Sequence, residues 1–523
     1  MPLLLDEHVA AAGADIAIVD DRGALSWNRL GERVNRWVNL LTDRGLGPGD
    51  RLACVLDNRR ETFEVLLACL HAGITVVPIN WHLTEPEIAY ILSDSNSQAL
   101  VVAEPYASVA ARAAARTPDC CRLRLVVGAS DGLSWVDGLL AAEPLLAAAD
   151  SGEHPRQCCG SVMLYTSGTT GAPKGVVNGL FEVGAPFSRV AKLKDYARVV
   201  LGVPVRERFL LDAPWYHSSQ LFFALLALLH GCRLVIRDHF DAATTLAVID
   251  REQITTAHLV PTQLVRLLRL DPAVKQAFSG ASLRRVWHGG GPCPMDVKRE
   301  MIDWWGPVLV EYYGATEGGA ITLIDTEDWL RRPGSVGRAV APNEILVVGE
   351  DGAPLPPGSS GRVFVRRKGR SFHYHNAPEK TRSAHLAADT FTFGDVGHLD
   401  SDGYLFLTGR AQDLIVSGGV NIYPAEVEAV LLAHPAVRDA AVVGVPDEEF
   451  GERVVAVIER EGDAPGDLAA VLDRHCRRSL AGFKSPRAYH IVDALPRAAT
   501  GKLAKAELRD RYGAAVPAGR EPA

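Results

Sequence analysis

Helix-like and strand-like stretches alternate along most of this chain, and that rhythm restricts the fold more than any other feature of the sequence. From Ile16 to about Val102, Asn28 to Leu41 carries apolar residues at helical spacing and Arg51 to Leu56 is a short apolar strand. Glu61 to Ala72 is helical again, and Ile74 to Ile79 is strand-like. Strands separated by helices predict parallel sheets with helices packed on their faces. Between Glu104 and Arg156 the chain is rich in Ala, Pro, Asp and Ser, which predicts loops and surface helices joining two sheet systems. The rhythm resumes near Ser161 and runs past Tyr313, with strands at Arg233 to Ile236 and Thr256 to Val260. After Gly334, β-like runs at Glu344–Val348 and Gly361–Val365 are separated by Asp351-Gly352 and Pro356-Pro357-Gly358, a pattern that predicts a small antiparallel barrel or sheet. Helix and strand alternate again from about Ala411, and Gly513 to Ala523 reads as a frayed tail.

A chain of 523 residues calls for about three folding units. Its net charge of −8 offers no basic surface for phosphate backbones or anionic lipid, so nucleic acid is excluded as an expected partner. Asp6 and Glu7 stand where an export signal would be basic. The most apolar run, Leu221 to Leu229, is far below the ~20 residues of a membrane span and reads as a buried helix. Nine cysteines, among them the pairs Cys120–Cys121 and Cys158–Cys159, lack the spacing of a zinc site and the density of a stapled secreted domain. A cytoplasmic protein with reduced thiols and no membrane span is expected.

The segment that carries chemistry most plainly is Tyr165-Thr-Ser-Gly-Thr-Thr-Gly-Ala-Pro-Lys-Gly-Val176, directly after the apolar Val162 to Leu164. Its glycines let successive N–H groups turn toward one point, its hydroxyls add donors, and Lys174 adds a cation; together they suit a polyphosphate. It is not a Walker loop, because Lys174 follows Ala-Pro and precedes Gly175. A second constellation, His288-Gly-Gly-Gly-Pro292 followed by Glu311-Tyr-Tyr-Gly-Ala-Thr-Glu317, offers a carboxylate beside a threonine that could hold Mg²⁺ against phosphate, and glycines that admit a flat base.

These segments resemble, in order and over nearly the whole chain, the signatures of the adenylate-forming superfamily, which includes acyl-CoA synthetases, peptide-synthetase adenylation domains and firefly luciferase. The resemblance implies an α/β fold. A large N-terminal domain (1–409) holds two parallel-rich sheet subdomains and a small β-barrel; a hinge at 410–412 leads to a small mobile α+β C-terminal domain (413–512) and a tail (513–523). It also implies roles: Thr166, Ser167, Gly168, Thr169, Thr170, Lys174 and Thr316 on ATP phosphates, and Glu317 on Mg²⁺. Gly290, Gly291, Glu311, Tyr312 and Tyr313 fall to the adenine and ribose site, with Tyr313 packed on the base, while Asp395 and Arg410 hold the ribose hydroxyls. His217, in Pro214-Trp-Tyr-His217, borders an acyl pocket with Gly289, Gly290, Gly314, Ala315 and Gly318. Gly418 and Gly419 pass the pantetheine arm of coenzyme A, and Lys502, in Pro496-Arg-Ala-Ala-Thr-Gly-Lys502, is the catalytic lysine. One departure is Gln412, at a pivot that is commonly Asp or Lys in the family.

The implied reaction joins a carboxylic acid to ATP, releases pyrophosphate, and passes the acyl group from adenylate to coenzyme A; loading of an acyl-carrier protein is the alternative. No Asp lies between Trp215 and Gln220 to anchor an amino-acid ammonium, which sets peptide-synthetase chemistry aside. The small residues 289–291, 314–315 and 318–319 predict room for a medium or long fatty acid, with an aryl acid as runner-up. Oligomeric state is not legible in these residues.

Overall fold

The computed structural model describes residues 4–128, 138–166, 173–369, 372–410, 413–417, 420–447, 450–462, 466–480, 482–497 and 503–513, with the backbone alone at 410, 420 and 421. The chain divides into two compact units. One runs to Glu344 and includes Arg366–Phe391; the other takes Ile345–Val365 and the residues from Thr392 on.

In the first unit the alternation read from the sequence becomes two sheets. Helix Trp27–Asp43 begins where the Ser26 hydroxyl accepts from the Arg29 N–H at 3.3 Å, and it buries Leu30, Val34, Trp37, Val38 and Leu41 along one face. Helix Arg60–Ala72 is buried on nearly every side and ends at Gly73, whose φ of +73° supplies the left-handed turn. Between them strand Arg51–Val55 sits at the centre of a parallel sheet, in the order Leu140–Ala141, Leu123–Val127, Ala99–Ala103, Arg51–Val55, Thr75–Pro78, Ser161–Val162. Strands covered on both faces read as unbroken apolar runs, and Ala99–Ala103 is buried at every position.

The expectation of loops and surface helices over 104–156 needs correction. Leu123–Val127 is a buried strand of this sheet, and helix Ala107–Ala115 buries Ala110, Ala111, Ala113 and Ala114. A strand of five residues interrupted by Arg124 carries too little periodicity to be read, and alanine suits core and surface alike.

The second sheet runs Gly23–Ser26, Ile16–Asp20, Arg233–Ile236, Arg208–Leu211, Thr256–Leu259, Arg285–His288, Leu309–Ala315, Gly319–Asp325, Gly337–Ala339. Its middle is parallel and its ends fold back antiparallel. Ile16–Asp20 pairs with Arg233–Ile236, so the first two strands of the chain are built into a sheet whose remaining members begin only at Arg208. Helix Ser218–Leu229 covers this sheet and buries Leu221 and every residue from Phe223 to Leu229.

In the second unit, Gly361–Arg366 pairs antiparallel with Asp395–Leu399, which pairs with Tyr404–Arg410, in the region of tight turns read from the sequence. Beyond it, Val437–Asp447 and Gly451–Arg460 form a long hairpin, and Ala488–Val492 adds parallel to the second strand. Alternation at period two splits the hairpin's side chains: Val442, Val454, Ala456 and Ile458 pack with Leu431, Leu472 and Cys476 on one face. Val443, Val445, Val455 and Val457 pack with Leu495 and Leu508 on the other. This is an α+β arrangement with a covered sheet. Among the described residues no helix is long and apolar enough to cross a membrane.

Candidate active site

The phosphate-loop segment is the tip of a hairpin. Leu164–Thr166 runs antiparallel to Lys174–Val177, with Thr166 directly opposite Lys174 and Tyr165 opposite Gly175. Residues 167–172, and with them Ser167, Gly168, Thr169 and Thr170, lie outside the described residues. The base of the hairpin is clamped from several sides. The Tyr165 hydroxyl donates to Asp94 Oδ2 at 2.6 Å, Tyr90 donates to the Pro173 carbonyl at 3.1 Å, and the His375 N–H donates to the Gly175 carbonyl at 2.8 Å. A side chain at Gly175 would press on Met163, His375 and Tyr165, so the close approach of three elements selects glycine there.

A third strand, His373–Tyr374, pairs with Lys174–Val177. Tyr374 lies with its ring 5.3 Å from the Lys174 ammonium, while its hydroxyl donates to Glu317 Oε1 at 2.9 Å. One aromatic side chain therefore joins the clamp cation to the carboxylate expected to bind metal. Partial burial, followed by the neighbouring Lys380 ammonium, brings the Lys174 pKa down to about 8. Thr316 is fixed next to Glu317: its carbonyl accepts from Asn178 Nδ2 and its hydroxyl donates to Ser218 Oγ, both at 3.0 Å. Ser218 opens the helix that follows His217, so the candidate phosphate and acyl residues share a single hydrogen-bonded seam.

His217 is half-buried, with its ring centroid 4.5 Å from that of Tyr216. The turn that carries it is pinned by Asn58, whose Nδ2 donates to the carbonyls of Ala213 and Arg237 and whose Oδ1 accepts from the Trp215 N–H, each at 2.9 Å. The Trp215 indole donates to the Leu56 carbonyl at 2.7 Å.

Strand Leu309–Ala315 sends its side chains alternately to two faces, and this separates residues that the sequence places together. Tyr312 points into the core: its hydroxyl meets His258 Nε2 at 2.9 Å, and His258 Nδ1 meets Gln220 Nε2 at 2.8 Å. Burial holds His258 neutral, with a pKa of about 3. Glu311 is engaged in a buried ion pair with Lys298 Nζ at 2.6 Å. The side chains of Glu311 and Tyr312 are thus taken up by the protein itself. Tyr313, between Tyr312 and Gly314, faces the other way and is buried, its N–H 3.3 Å from Thr322 Oγ1.

The glycines also divide. A Cβ on Gly289 would come within 2.7 Å of both the Tyr312 ring and its carbonyl, and one on Gly314 would collide with the Gly319 carbonyl. Their missing side chains are occupied by neighbouring atoms, which corrects the expectation that these two positions leave free room. Gly290 (φ +80°) and Gly291 are exposed, with nothing within 4 Å of an added Cβ. Gly318 is buried, its carbonyl accepting from Arg367 Nη2 at 2.6 Å, and Ala315 closes the turn by accepting from the Gly318 N–H.

In the second unit, Asp395 stands opposite Arg410 in the register of its antiparallel pair, which brings the two expected ribose residues to one place. Gln412, Gly418, Gly419 and Lys502 lie outside the described residues.

The donor set suits the expected ligands. Glu317, Thr316 and Ser218 present hard oxygen atoms, as Mg²⁺ prefers. Among the described residues no three of His, Cys, Asp and Glu gather around a common point, so a divalent ion here would draw most of its shell from phosphate and water. Asp94, Asn178, Ser218 and Tyr374 escaped the sequence reading. Tyr374 lies 57 positions from Glu317 and carries no local motif, so only the folded strand order reveals it.

Comparison with known proteins agrees with this geometry. The pattern of the AMP-binding enzymes matches residues 5–374, and that of the AMP-binding enzyme C-terminal domain matches residues 426–502. The chain is 33% identical over 500 residues to a long-chain-fatty-acid–CoA ligase of Mycobacterium tuberculosis, covering 94% of each. It is 34% identical over 501 residues to a feruloyl-CoA synthase of Amycolatopsis, again covering 94% of each. The o-succinylbenzoate CoA synthetase of Bacillus subtilis, solved with its acyl-adenylate intermediate, superposes with a TM-score of 0.81 at 27% identity over 98% of both chains. The chain belongs to the AMP-binding enzyme family, in the acyl-CoA synthetase branch of the adenylate-forming superfamily.

Proposed function

We propose that this enzyme activates a hydrophobic carboxylic acid with ATP, releases pyrophosphate, and transfers the acyl group from the adenylate to the thiol of coenzyme A. The observation that carries this reading is the Lys174–Tyr374–Glu317 connection at the base of the phosphate hairpin: a cation and a carboxylate held on one aromatic scaffold, with Thr316 alongside.

A carboxylate is a poor electrophile, so it first attacks the α-phosphorus of ATP, the α-phosphorus–oxygen bond to pyrophosphate breaks, and an acyl-phosphate anhydride forms. Lys174 and the hairpin N–H groups hold the departing pyrophosphate. Bound Mg²⁺, held by Glu317, supplies charge neutralisation on the phosphate oxygens. Tyr374 orients the Glu317 carboxylate, and Thr316, fixed by Asn178 and Ser218, faces the phosphates. The exposed Gly290 and Gly291 and the backbone of 311–313 receive the base, while Asp395 and Arg410 hold the ribose. Lys502 neutralises charge in this first half-reaction. In the second, the domain beyond 410–412 turns about Gln412 and brings Gly418 and Gly419 to the pantetheine arm. The thiol sulfur then bonds to the acyl carbon, and AMP leaves.

For the acid, the similarity to a long-chain-fatty-acid–CoA ligase supports a medium or long chain, and the equal similarity to a feruloyl-CoA synthase supports an aryl acid as the second reading. A panel of alkyl and aryl acids in a pyrophosphate-release assay, with coenzyme A and a carrier protein offered as acceptors, separates these possibilities. Lys502→Ala should abolish adenylate formation and largely spare thioester formation from a pre-made acyl-adenylate; equal loss in both halves defeats the assignment. Release of ADP and orthophosphate in place of AMP and pyrophosphate defeats the whole reading.

A further inference from the structure

At the carboxyl ends of neighbouring parallel strands, one side chain reaches across the middle strand. Thr256–Leu259, Arg285–His288 and Leu309–Ala315 lie side by side, so His258 and Tyr312 stand on the two strands that flank the one leading into Gly289. The 2.9 Å hydrogen bond between the Tyr312 hydroxyl and His258 Nε2 bridges them. The Tyr312 ring passes over Gly289, where an added Cβ would come within 2.7 Å of it, so the bridge takes the space that a side chain at 289 would need. Phe223 packs on both bridging rings, its centroid 5.1 Å from that of His258 and 5.5 Å from that of Tyr312.

Gln220, one helical turn before Phe223, sets the direction of the bridge. Its Nε2 lies 3.3 Å from the His258 carbonyl, an atom that only accepts, and 2.8 Å from His258 Nδ1. The amide nitrogen donates to both, so Nδ1 is the unprotonated ring nitrogen and Nε2 carries the proton that it donates to the Tyr312 oxygen. Gln220 and His258 are buried, and burial holds the ring neutral. Open α/β sheets bind ligands beyond the carboxyl ends of their strands, and the exposed Gly290 and Gly291 stand there, directly after the glycine that the bridge covers.

We infer that His258 and Gln220 are positioning residues of the nucleotide site: through Tyr312 they hold the 289–291 turn against the 312–313 backbone, the two segments that receive the adenine. This inference rests on the adenylating activity proposed above, and it adds to that reading two side chains that themselves touch no nucleotide.

The test uses Tyr312→Phe, which keeps the ring and loses the bond; His258→Leu; the two combined; and His258→Gln, whose amide nitrogen can take the place of Nε2. Each is measured for AMP and MgATP affinity by titration calorimetry, for kcat at saturating substrates, and for melting temperature. Tyr312→Phe and His258→Leu should each weaken AMP and MgATP alike by about three- to tenfold, the scale of one buried hydrogen bond, with kcat changed by less than about twofold. The combined variant should lose no more than the worse single one, because one bond is broken once, and His258→Gln should recover most of the affinity. In wild-type protein with 15N-labelled histidine, the His258 resonance, identified by its loss in His258→Gln, should show a protonated Nε2 and a bare Nδ1 from about pH 6 to pH 8. Unchanged nucleotide affinity in Tyr312→Phe, with or without a fall in melting temperature, would mark the bond as merely structural and overturn the positioning role. Additive losses in the combined variant, or a ring protonated at Nδ1 alone, would overturn it too. A wild type that bound neither AMP nor MgATP would overturn the adenylation reading as well, a failure seen without any variant.

Discussion

Asp212 offers a measurement of how the buried floor of the candidate site responds to pH. It follows strand Arg208–Leu211 directly before the 213–217 turn, is 1% exposed, and accepts from the Thr245 hydroxyl at Oδ2, while Gln263 Nε2 donates to its carbonyl at 2.9 Å. Its other oxygen, Oδ1, has no hydrogen-bond partner. Burial raises its pKa from 3.8 to about 7, against the opposing pull of Thr245, Arg237 and His239 and with a small push from Asp238. Because the folded-state pKa lies above the unfolded one, the folded state favours the protonated acid. No penalty exists below about pH 4; the penalty then grows with pH and levels off once the folded carboxyl also ionises, above about pH 7, at roughly 4 kcal/mol. Asp212→Asn keeps the acceptor for Thr245 and removes the ionisation. Relative to wild type, the variant should gain about 2–3 kcal/mol between about pH 5 and pH 9, which corresponds to roughly 3 °C in melting temperature for a unit of this size. Differential scanning calorimetry of both proteins across that range provides the comparison. An offset between the two melting curves that is flat with pH, or that shrinks toward alkaline pH, would show that Asp212 is ionised in the folded state and that burial does not govern it.

Two further outcomes follow from the site. Tyr374→Phe retains the ring beneath Lys174 and removes the donor to Glu317, so it should weaken the apparent Mg²⁺ dependence of adenylation by about tenfold with little change in melting temperature; an unaltered Mg²⁺ titration would exclude Tyr374 as the positioning group. Lys298→Met strands a buried carboxylate at Glu311 and should cost about 3–5 kcal/mol, whereas Lys298→Met combined with Glu311→Gln should recover most of it; thermal melts of the single and double variants decide, and a double variant as unstable as the single one would contradict a buried pair.

How far the sequence could be read depended on the range of the signal. Trp27–Asp43, Arg51–Val55 and Arg60–Ala72 fall within a few residues of where periodicity placed them, because an amphipathic helix or a buried strand declares itself over its own length. The Gly- and hydroxyl-rich run within Tyr165 to Val176 stood out for the same reason, since its signal is consecutive, but the antiparallel pairing of Leu164–Thr166 with Lys174–Val177 emerged only in the fold. Leu123–Val127 was not, being too short and interrupted by a charge. Within Glu311 to Glu317 residue identity alone suggested one cluster, yet strand alternation turns Tyr312 toward His258 and Glu311 toward Lys298, and leaves Thr316 and Glu317 to the site.

The amino-acid order by itself pointed to the class of fold, the Gly- and hydroxyl-rich candidate segment before Lys174 and the candidate nucleotide residues, because each depends on neighbours along the chain. Only the tertiary structure decided which side chains remain for a ligand. Tyr374 reaches the candidate site from a distant segment, and whether a glycine leaves space depends on what packs above it: Gly290 opens outward, while Gly289 lies beneath Tyr312. Contacts of that kind are set by which distant strands become neighbours in a sheet, and that order emerges only when the whole chain folds.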